Sequence, residues 1–335
     1  AIIIPILYLK IMLDAIEELI KEAPRSVHSR DNMSALKRVL SKKYHTDSLL
    51  NSDIICEYKR LLALGKIKAN PELEYLLRKR AVRTLSGIAP VAVLTKPYPC
   101  PGTCAYCPHQ KDVPASYLSN EPAVMRAIRC HYHPYTQVVS RLRALENNGH
   151  EPTKIELIVI GGTWSYLPGK YKYWYILNCF KAANDYRSQV KLPEAAYSQK
   201  LKLSNLKNLL IKEQKKNEQA RYRLIGVTLE TRPDYINEKE LREMRDLGCT
   251  RVEIGVQAVD DQILKLNKRG HGVKEIAEAT KLLKQFGFKV TYHLMPALPG
   301  ATPAKDLELF KKLFNDERFQ PDQIKPVKKF NARTI

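Results

Sequence analysis

The stretch VAVLTKPYPCPGTCAYC, residues 91–107, joins a short apolar run to a loop with three cysteines. Residues 91–94 are apolar and β-branched in part, which predicts a buried strand. Cys100, Cys104 and Cys107 follow on a segment that proline and glycine keep out of regular structure. A strand that leads directly into such a loop is typical of α/β proteins, in which function lies at the carboxyl ends of the strands.

The rest of the chain from residue 88 onward alternates in the same way. Further strands are predicted at residues 155–160, 224–229, 252–256 and 290–295. Helices are predicted at residues 124–145, 238–247, 273–286 and 303–314. Continuous apolar strands between helices indicate a parallel sheet covered by helices. We therefore predict an α/β fold whose main domain, residues 81–326, is a partial (β/α)6 barrel of TIM type, with a Lys-rich, solvent-facing insertion at about 190–222.

Residues 1–80 are predicted to form a separate basic helical module, with helices at 11–20, 35–40, 54–64 and 72–80. Residues 1–85 contain 16 Lys and Arg against 10 Asp and Glu, and the whole chain has a formal charge of +21. A charge of this size favours a polyanionic partner, and nucleic acid is the leading candidate. The predicted nucleic-acid contacts of the module are Lys42, Lys43, Arg78, Lys79 and Arg80.

Three thiolates on one loop can hold a 4Fe-4S cluster. Such a cluster normally has four cysteine ligands, so three leave one iron open to bind the amino and carboxylate groups of S-adenosylmethionine. Electron transfer to the sulfonium then releases a 5'-deoxyadenosyl radical. Three alternatives stay open: a zinc site completed by His109, His131 or His133, a thioredoxin-type redox pair, and a structural cluster completed by Cys130.

The ends of other predicted strands offer groups that this cofactor needs. Gly161 and Gly162, followed by Thr163, end the second strand, where bare backbone can approach the methionine amino group; a simple turn is the alternative. Glu230 and Glu253 are polar residues in apolar strands, which either face a site or have a buried partner. We predict catalytic roles for both. The predicted cofactor contacts are Gly161, Gly162, Thr163, Glu230 and Gln257.

The remaining cysteines and His293 carry weaker signals. Cys56, Cys179 and Cys249 fall in helical or strand-edge patterns, which predicts buried apolar side chains. His293, in the last predicted strand, is either a barrel-interior group or a packed core residue. With reduced thiols, and an N-terminal apolar run too short to span a bilayer, the chain is expected to be cytoplasmic, without a membrane partner.

A set of motifs in fixed order goes further. The segments are RTLSGIA (83–89), EPAVMRAIR (121–129), IGGT (160–163), ETRPDY (230–235), GCTRVEIGVQ (248–257), NKRGH (267–271) and HLMPALP (293–299). Together they resemble the radical S-adenosylmethionine domain of the Elongator catalytic subunit, over about residues 70–325. The cysteine spacing is more compact than in eukaryotic members, which suggests a prokaryotic form.

The resemblance implies modification of the wobble uridine of tRNA. Members of this family use acetyl-coenzyme A and S-adenosylmethionine to build a carboxymethyl group on carbon 5 of that uridine. In the family a lysine just before the second strand contacts acetyl-coenzyme A, and the matching residue is Lys154. The implied partners are the anticodon stem-loop of tRNA, acetyl-coenzyme A, an electron donor, and either a second copy of the chain or Elongator-type subunits.

The resemblance ends after Lys325, where family members continue into an acetyltransferase domain. Residues 327–335 are expected to be the start of that region. Arg126 and Arg129, just after the cluster loop, are predicted RNA contacts, and Tyr132 and Tyr135 either stack on a base or simply pack. Two other functions stay open: a radical enzyme with another substrate, and a tRNA-binding scaffold subunit whose cluster is structural.

Overall fold

The computed structural model describes residues 6–186 and 196–327, which fall into two compact units. The first unit comprises the chain up to Ala89 together with Ser140–Thr153, and the second comprises Pro90–Val139 and the chain from Lys154 onward. Among the described residues, no helix is long and apolar enough to cross a membrane.

The first unit is built from helices around one apolar core. Its helices are α1 (Ile6–Ser26), α2 (Arg30–Lys43), α3 (Asn51–Ala63) and α4 (Pro71–Leu77). Ser29 caps α2 by accepting a hydrogen bond from the Asn32 amide, and Asn70 caps α4 in the same way. The core includes Ile16, Leu19, Leu40, Ile54 and Leu77. The four predicted helices are therefore present, while Cys56, which was expected to be buried, is exposed.

Residues 140–153 belong to this unit, although the sequence pattern had placed them in the barrel. The backbone amide of Lys79 donates to the Asn148 carbonyl at 3.1 Å. Arg78 Nε donates to the Gly149 carbonyl at 3.0 Å, and a His150 ring nitrogen lies 2.9 Å from the Lys79 carbonyl. These bonds join segments about 70 positions apart, so local periodicity could not reveal them.

The second unit contains a sheet of six strands in sequential order. The strands are β1 (Ala89–Leu94), β2 (Lys154–Ile160), β3 (Arg223–Thr231), β4 (Arg251–Gln257), β5 (Lys289–Leu294) and β6 (Gln323–Pro326). From β2 to β6 each strand pairs in parallel with the next. The predicted α/β partial barrel is confirmed. Strand β6 was not predicted, because Ile324 is its only large apolar residue between polar neighbours.

Helices connect these strands. They are α5 (Pro122–Arg129), α6 (Pro134–Asn147), α7 (Gly169–Asp185), α8 (Leu203–Asn217), α9 (Glu238–Asp246), α10 (Asp261–Leu266), α11 (Val273–Gln285) and α12 (Pro303–Asn315). The single helix predicted over residues 124–145 is wrong. His131 and Tyr132 have positive φ angles of 48° and 54°, and Pro134 disfavours helical backbone at His133, so two helices form.

Helix α8 lies within the predicted insertion, of which residues 190–195 fall outside the described residues. It packs against α7 and buries Leu206 and Leu210. Lys212, Lys215 and Lys216 are exposed. The insertion is therefore amphipathic, with its lysines toward solvent as expected.

Candidate active site

The carboxyl ends of the strands surround a cavity of about 360 Å³. This volume is within the range of small-molecule sites. Residues from the loop after β1 and from the ends of β2, β3, β4, β5 and β6 line it. Those that carry the argument below are Cys100, Cys104, Cys107, Tyr117, Gly162, Thr163, Glu230, Arg232, Glu253, Gln257, Arg269, His293 and Lys325.

The loop after β1 brings the three predicted thiols into this one cavity. The Cys107 amide donates to the Cys104 carbonyl at 3.1 Å, which keeps the second half of the loop compact. Cys104 Sγ accepts a hydrogen bond from Arg269 Nη1 at 3.1 Å, and Cys107 Sγ lies 3.2 Å from Ser116 Oγ. Burial raises the pKa of the Cys107 thiol, and the hydrogen bond with Ser116 acts in the opposite direction.

Two buried arginines stand behind this loop. Arg232 binds the Asp234 carboxylate through Nε at 2.9 Å and Nη2 at 2.8 Å, and the same Nη2 donates to the Arg269 carbonyl at 2.7 Å. A Cβ atom at Gly102 would lie 2.1 Å from Arg232 Nη1. Although burial raises the pKa of Asp234, hydrogen bonds from His271 and Arg232 hold it well below its usual value. Two guanidinium groups therefore lie close to the cluster loop, Arg269 by its bond to Cys104 Sγ and Arg232 by its proximity to Gly102.

The cavity residues fit an anionic cofactor that also carries hydrogen-bonding groups. Within the described part of the chain, Arg232 Nη1 is a buried donor without a hydrogen-bond partner, and Gln257 Oε1 is a buried acceptor without one. Both residues line the cavity. Unpaired buried polar atoms are costly, so they indicate a ligand that completes them. Three thiols beside two guanidinium groups suit an iron-sulfur cluster with an additional bound molecule.

The geometry does not suit a closed zinc site. Among the described residues, the one group of His, Cys, Asp or Glu whose ligand atoms all lie within 4.8 Å of one another is Glu230, Glu253 and His293. The three thiols are therefore spaced more widely than ligands around one zinc ion, for which Zn–S is about 2.3 Å. The candidate fourth zinc ligands were His109, His131 and His133. Neither these histidines nor Cys130 are among the described residues that line the cavity.

A second cluster of ionisable groups faces the thiols across the cavity. Tyr117 donates to Glu230 Oε2 at 2.7 Å, and a ring nitrogen of His293 lies 2.6 Å from Glu253 Oε2. Lys325 Nζ is 3.0 Å from Glu253 Oε2 and 3.8 Å from Glu230 Oε1. A cation thus already lies between the two carboxylates.

Within this cluster the pKa values of the two carboxyl groups shift in opposite directions. Burial is the main cause that raises the pKa of Glu230. Burial also acts to raise the pKa of Glu253, but the hydrogen bond with His293 and the charge of Lys325 lower it to about 2. Carboxyl groups with divergent pKa values are typical of functional sites. Glu253 is therefore a fixed anion at neutral pH, while Glu230 is more easily protonated.

Backbone irregularities shape the cavity at two strand ends. Gln257 has a φ of +68°, and the β4–β5 register shifts between Ile254 and Gln257. Such strain in a residue other than glycine is common at functional sites. Gly161, with a φ of +131°, lies so close to Thr95 that a Cβ would be 2.1 Å from Thr95 Oγ1. Only glycine fits at position 161, where the close approach is to Thr95, so the cofactor contact expected of Gly161 stays a prediction.

The other predicted site residues lie in different places. Lys154 is exposed at the start of β2, about 20 Å of strand from the end at Ile160 that lines the cavity. Arg126 Nη2 donates to the Ala92 carbonyl at 2.6 Å, and Arg129 is exposed. In the first unit, Lys42, Lys43, Lys79 and Arg80 are exposed, and Arg78 is half-buried. Their ligand roles stay predictions.

Sequence reasoning assigned no role to several residues of this site. They are Tyr117, Arg232, Asp234, Arg269 and Lys325. The signal for most of them was available, because Arg232, Asp234 and Arg269 are charged residues within the quoted motifs. Tyr135 is buried, with its hydroxyl 3.3 Å from Asp185, so the packing alternative is correct for that residue.

Comparisons with known proteins agree with this arrangement. The family model described as the radical SAM superfamily matches residues 94–313. A tRNA uridine(34) acetyltransferase of Dehalococcoides mccartyi (strain CBDB1) is 45% identical over 247 residues, covering 74% of this chain and 50% of that protein. The bovine Elongator complex protein 3 is 37% identical over 280 residues, covering 80% of this chain and 46% of that protein.

A solved structure gives the same result. The archaeal Methanocaldococcus infernus Elp3 with an N-terminal deletion matches with a TM-score of 0.56 and 36% sequence identity. The match covers 72% of this chain and 46% of that one. The chain spans about half the length of the curated relatives it matches.

Proposed function

The chain belongs to the radical S-adenosylmethionine superfamily, and from the names of its relatives we propose that it modifies the wobble uridine of tRNA. The reaction is the formation of 5-carboxymethyluridine from acetyl-coenzyme A and S-adenosylmethionine. The observation that carries the proposal is the cavity at the strand ends, where three thiols face a buried carboxylate cluster. Its support is the similarity to relatives named tRNA uridine(34) acetyltransferase.

The superfamily implies a 4Fe-4S cluster and S-adenosylmethionine. We assign the cluster to Cys100, Cys104 and Cys107. When bound, these cofactors supply a carbon-centred radical by reductive cleavage of the sulfonium. The protein would hold the reactants, exclude water and balance charge around them.

The other cavity residues are assigned to binding and orientation. Gly162 and Thr163 line the cavity, and we assign to them the approach of a bound amino group to bare backbone, while the missing Cβ of Gly161 makes room for Thr95. Glu253, with its low pKa, remains an acceptor for cationic or hydroxyl groups at neutral pH, and Gln257 Oε1 is free to accept a further hydrogen bond. Burial raises the pKa of Glu230 above its ordinary value, so it holds a proton more readily than Glu253 does.

The proposal that the macromolecular substrate is tRNA rests on the charge of the chain and on the names of its relatives. A formal charge of +21 favours a phosphate-rich partner, and tRNA presents an unpaired loop that can enter a cavity at a barrel mouth. Acetyl-coenzyme A binding through Lys154 stays a proposal. Residues 328–335, expected to begin an acetyltransferase region, lie outside the described residues.

The test is 5'-deoxyadenosine formation by anaerobically reconstituted protein with dithionite. Production that rises with both tRNA and acetyl-coenzyme A supports the proposal. If neither tRNA nor acetyl-coenzyme A changes the production, the protein is still a radical enzyme, but the proposed substrates are refuted. Absence of production from protein with a verified 4Fe-4S cluster would favour the scaffold function. Cys104→Ser is the matched control and should abolish production.

A further inference from the structure

Three tyrosines from three strand-end loops form a row in the second unit. Tyr98 follows β1, Tyr166 follows β2 and Tyr235 follows β3. The ring centroids of Tyr98 and Tyr166 are 6.1 Å apart, and those of Tyr166 and Tyr235 are 6.0 Å apart. The planes are inclined by 64° and 86°. We call these residues the tyrosine row.

The tyrosine row differs from the fully buried tyrosines of this unit. The side chain of Tyr166 is 43% exposed, and those of Tyr98 and Tyr235 are half-buried. Within residues 6–186 and 196–327, none of the three hydroxyl groups has a hydrogen-bond partner. Buried tyrosines such as Tyr135 and Tyr173 donate to carboxylates. Folding therefore leaves much of the Tyr166 ring, and part of the Tyr98 and Tyr235 rings, exposed to a ligand.

The row lies beside the cluster loop. Tyr98 precedes Cys100 by two positions, and Tyr235 follows Asp234, which holds Arg232 in the cavity wall. Burial and the Asp234 carboxylate raise the pKa of the Tyr235 hydroxyl, and the Cys100 thiol contributes in the same direction. Both ends of the row therefore lie within three positions in the sequence of a residue that lines the cavity, Cys100 or Arg232.

Three lysines line a second cavity, and two of them, Lys96 and Lys170, lie within four positions of a row tyrosine in the sequence. This cavity, of about 430 Å³, is lined by Lys96, Lys170 and Lys200, with Tyr171 in its wall. Lys96 Nζ is 5.1 Å from the Tyr171 ring centroid, and Lys170 Nζ donates to the Lys200 carbonyl at 3.4 Å. No carboxylate is among the cavity residues that the structure describes. We call Lys96, Lys170 and Lys200 the lysine group.

We propose that the tyrosine row and the lysine group together bind an unpaired segment of RNA, with bases on the rings and phosphates at the lysines. Sequence-tolerant binding of single strands combines aromatic stacking with a positive groove, and unpaired RNA loops are recognised in this way. The inference rests on the proposed function and deepens it, because it identifies the surface that delivers the loop to the cavity.

RNA accounts for the arrangement better than one nucleotide cofactor does. Coenzyme A also carries an adenine ring and phosphates, but it has a single base. The row offers three rings, each about 6 Å from the next, and the second cavity offers three lysines. A surface with several rings and several cations suits consecutive nucleotides.

The first experiment measures the affinity of the reconstituted protein for a fluorescent anticodon stem-loop RNA by anisotropy. Tyr166→Ala should weaken binding about fivefold to hundredfold, the range for loss of one stacked base. Tyr166→Phe should bind like the wild type, because the hydroxyl has no partner. Phe310→Ala, which removes a ring that is 45% exposed on α12, is the matched control and should have no effect. Equal iron content and unfolding temperature show that the variants are folded.

The second experiment varies salt. Lys96→Ala and Lys170→Ala should each reduce the slope of log affinity against log salt by about 0.7, the value for one phosphate contact to a single strand. Lys274→Ala is the control, since that lysine is 80% exposed and lies 3.8 Å from Glu278.

Other outcomes would overturn the inference. If Tyr166→Ala weakens binding of a fully paired RNA as much as that of the stem-loop, the row does not bind unpaired bases. If the Tyr166 and Lys96 variants lose affinity for coenzyme A and not for RNA, the surface is a nucleotide-cofactor site. Because binding is measured without turnover, a failure of tRNA to stimulate deoxyadenosine formation would refute the proposed function and leave this inference standing.

Discussion

Replacement of Gly102 by alanine tests the packing of the cluster loop. The new Cβ would lie 2.1 Å from Arg232 Nη1, whereas ordinary contacts begin at 3.4 Å, so the guanidinium must move by the difference. Arg232 cannot yield easily, because it is 6% exposed and its other nitrogens bind Asp234 and the Arg269 carbonyl. Overpacking costs about 1–3 kcal/mol, and a lost hydrogen bond to a charged group about 1.5–3 kcal/mol.

The assay is thermal unfolding of the protein before and after cluster reconstitution, together with bound iron per chain. A cost of 1–3 kcal/mol should lower Tm by about 2–12 °C for a unit of this size. Iron content should fall as well, because the displaced Arg232 guanidinium interacts electrostatically with Cys104 and Cys100. Gly169→Ala is the control, since its Cβ would meet only the flexible end of Glu243 at 3.3 Å.

A double variant isolates the cause. Lysine lacks Nη1, so Gly102→Ala should cost less in an Arg232→Lys background than in the wild type. The reasoning is refuted if Gly102→Ala has the Tm and iron content of the Gly169→Ala control. It is equally refuted if the penalties of Gly102→Ala and Arg232→Lys simply add.

Three further predictions concern charge and ligation. Arg269→Gln removes a charged donor to Cys104 Sγ and should make the cluster midpoint potential more negative, by about 59 mV for a tenfold change in a one-electron couple; an unchanged EPR redox titration would contradict this. Glu253 has a pKa of about 2 instead of 4.5, so it stabilises the fold above pH 4.5 and loses that effect as pH falls toward 2. Glu253→Gln should therefore flatten the dependence of unfolding free energy on pH in this window by up to about 1.4 kcal/mol per pH unit. Cys104→Ser should lower bound iron while Cys130→Ser should not, and equal losses would make Cys130 a ligand.

The amino-acid sequence was sufficient to predict most of the fold. Apolar runs identified five of the six strands, because a strand buried on both faces is apolar throughout. The sequence also predicted the three thiols as ligands of one cluster, because three closely spaced cysteines on one loop can bind the same cluster. The break between α5 and α6 was missed, because positive φ angles at His131 and Tyr132 are not visible in apolar periodicity.

Only the tertiary structure shows which side chains the functional groups of the site contact. Lys325 on the unpredicted β6 lies between Glu230 and Glu253, and it reaches them only because parallel pairing brings the strand ends together. The tyrosine row likewise joins three loops that are far apart along the chain. Local sequence determines which residues are buried and which carry chemistry. Contacts between distant segments determine pKa values, orphaned donors and surfaces, because these depend on distances that only the folded chain sets.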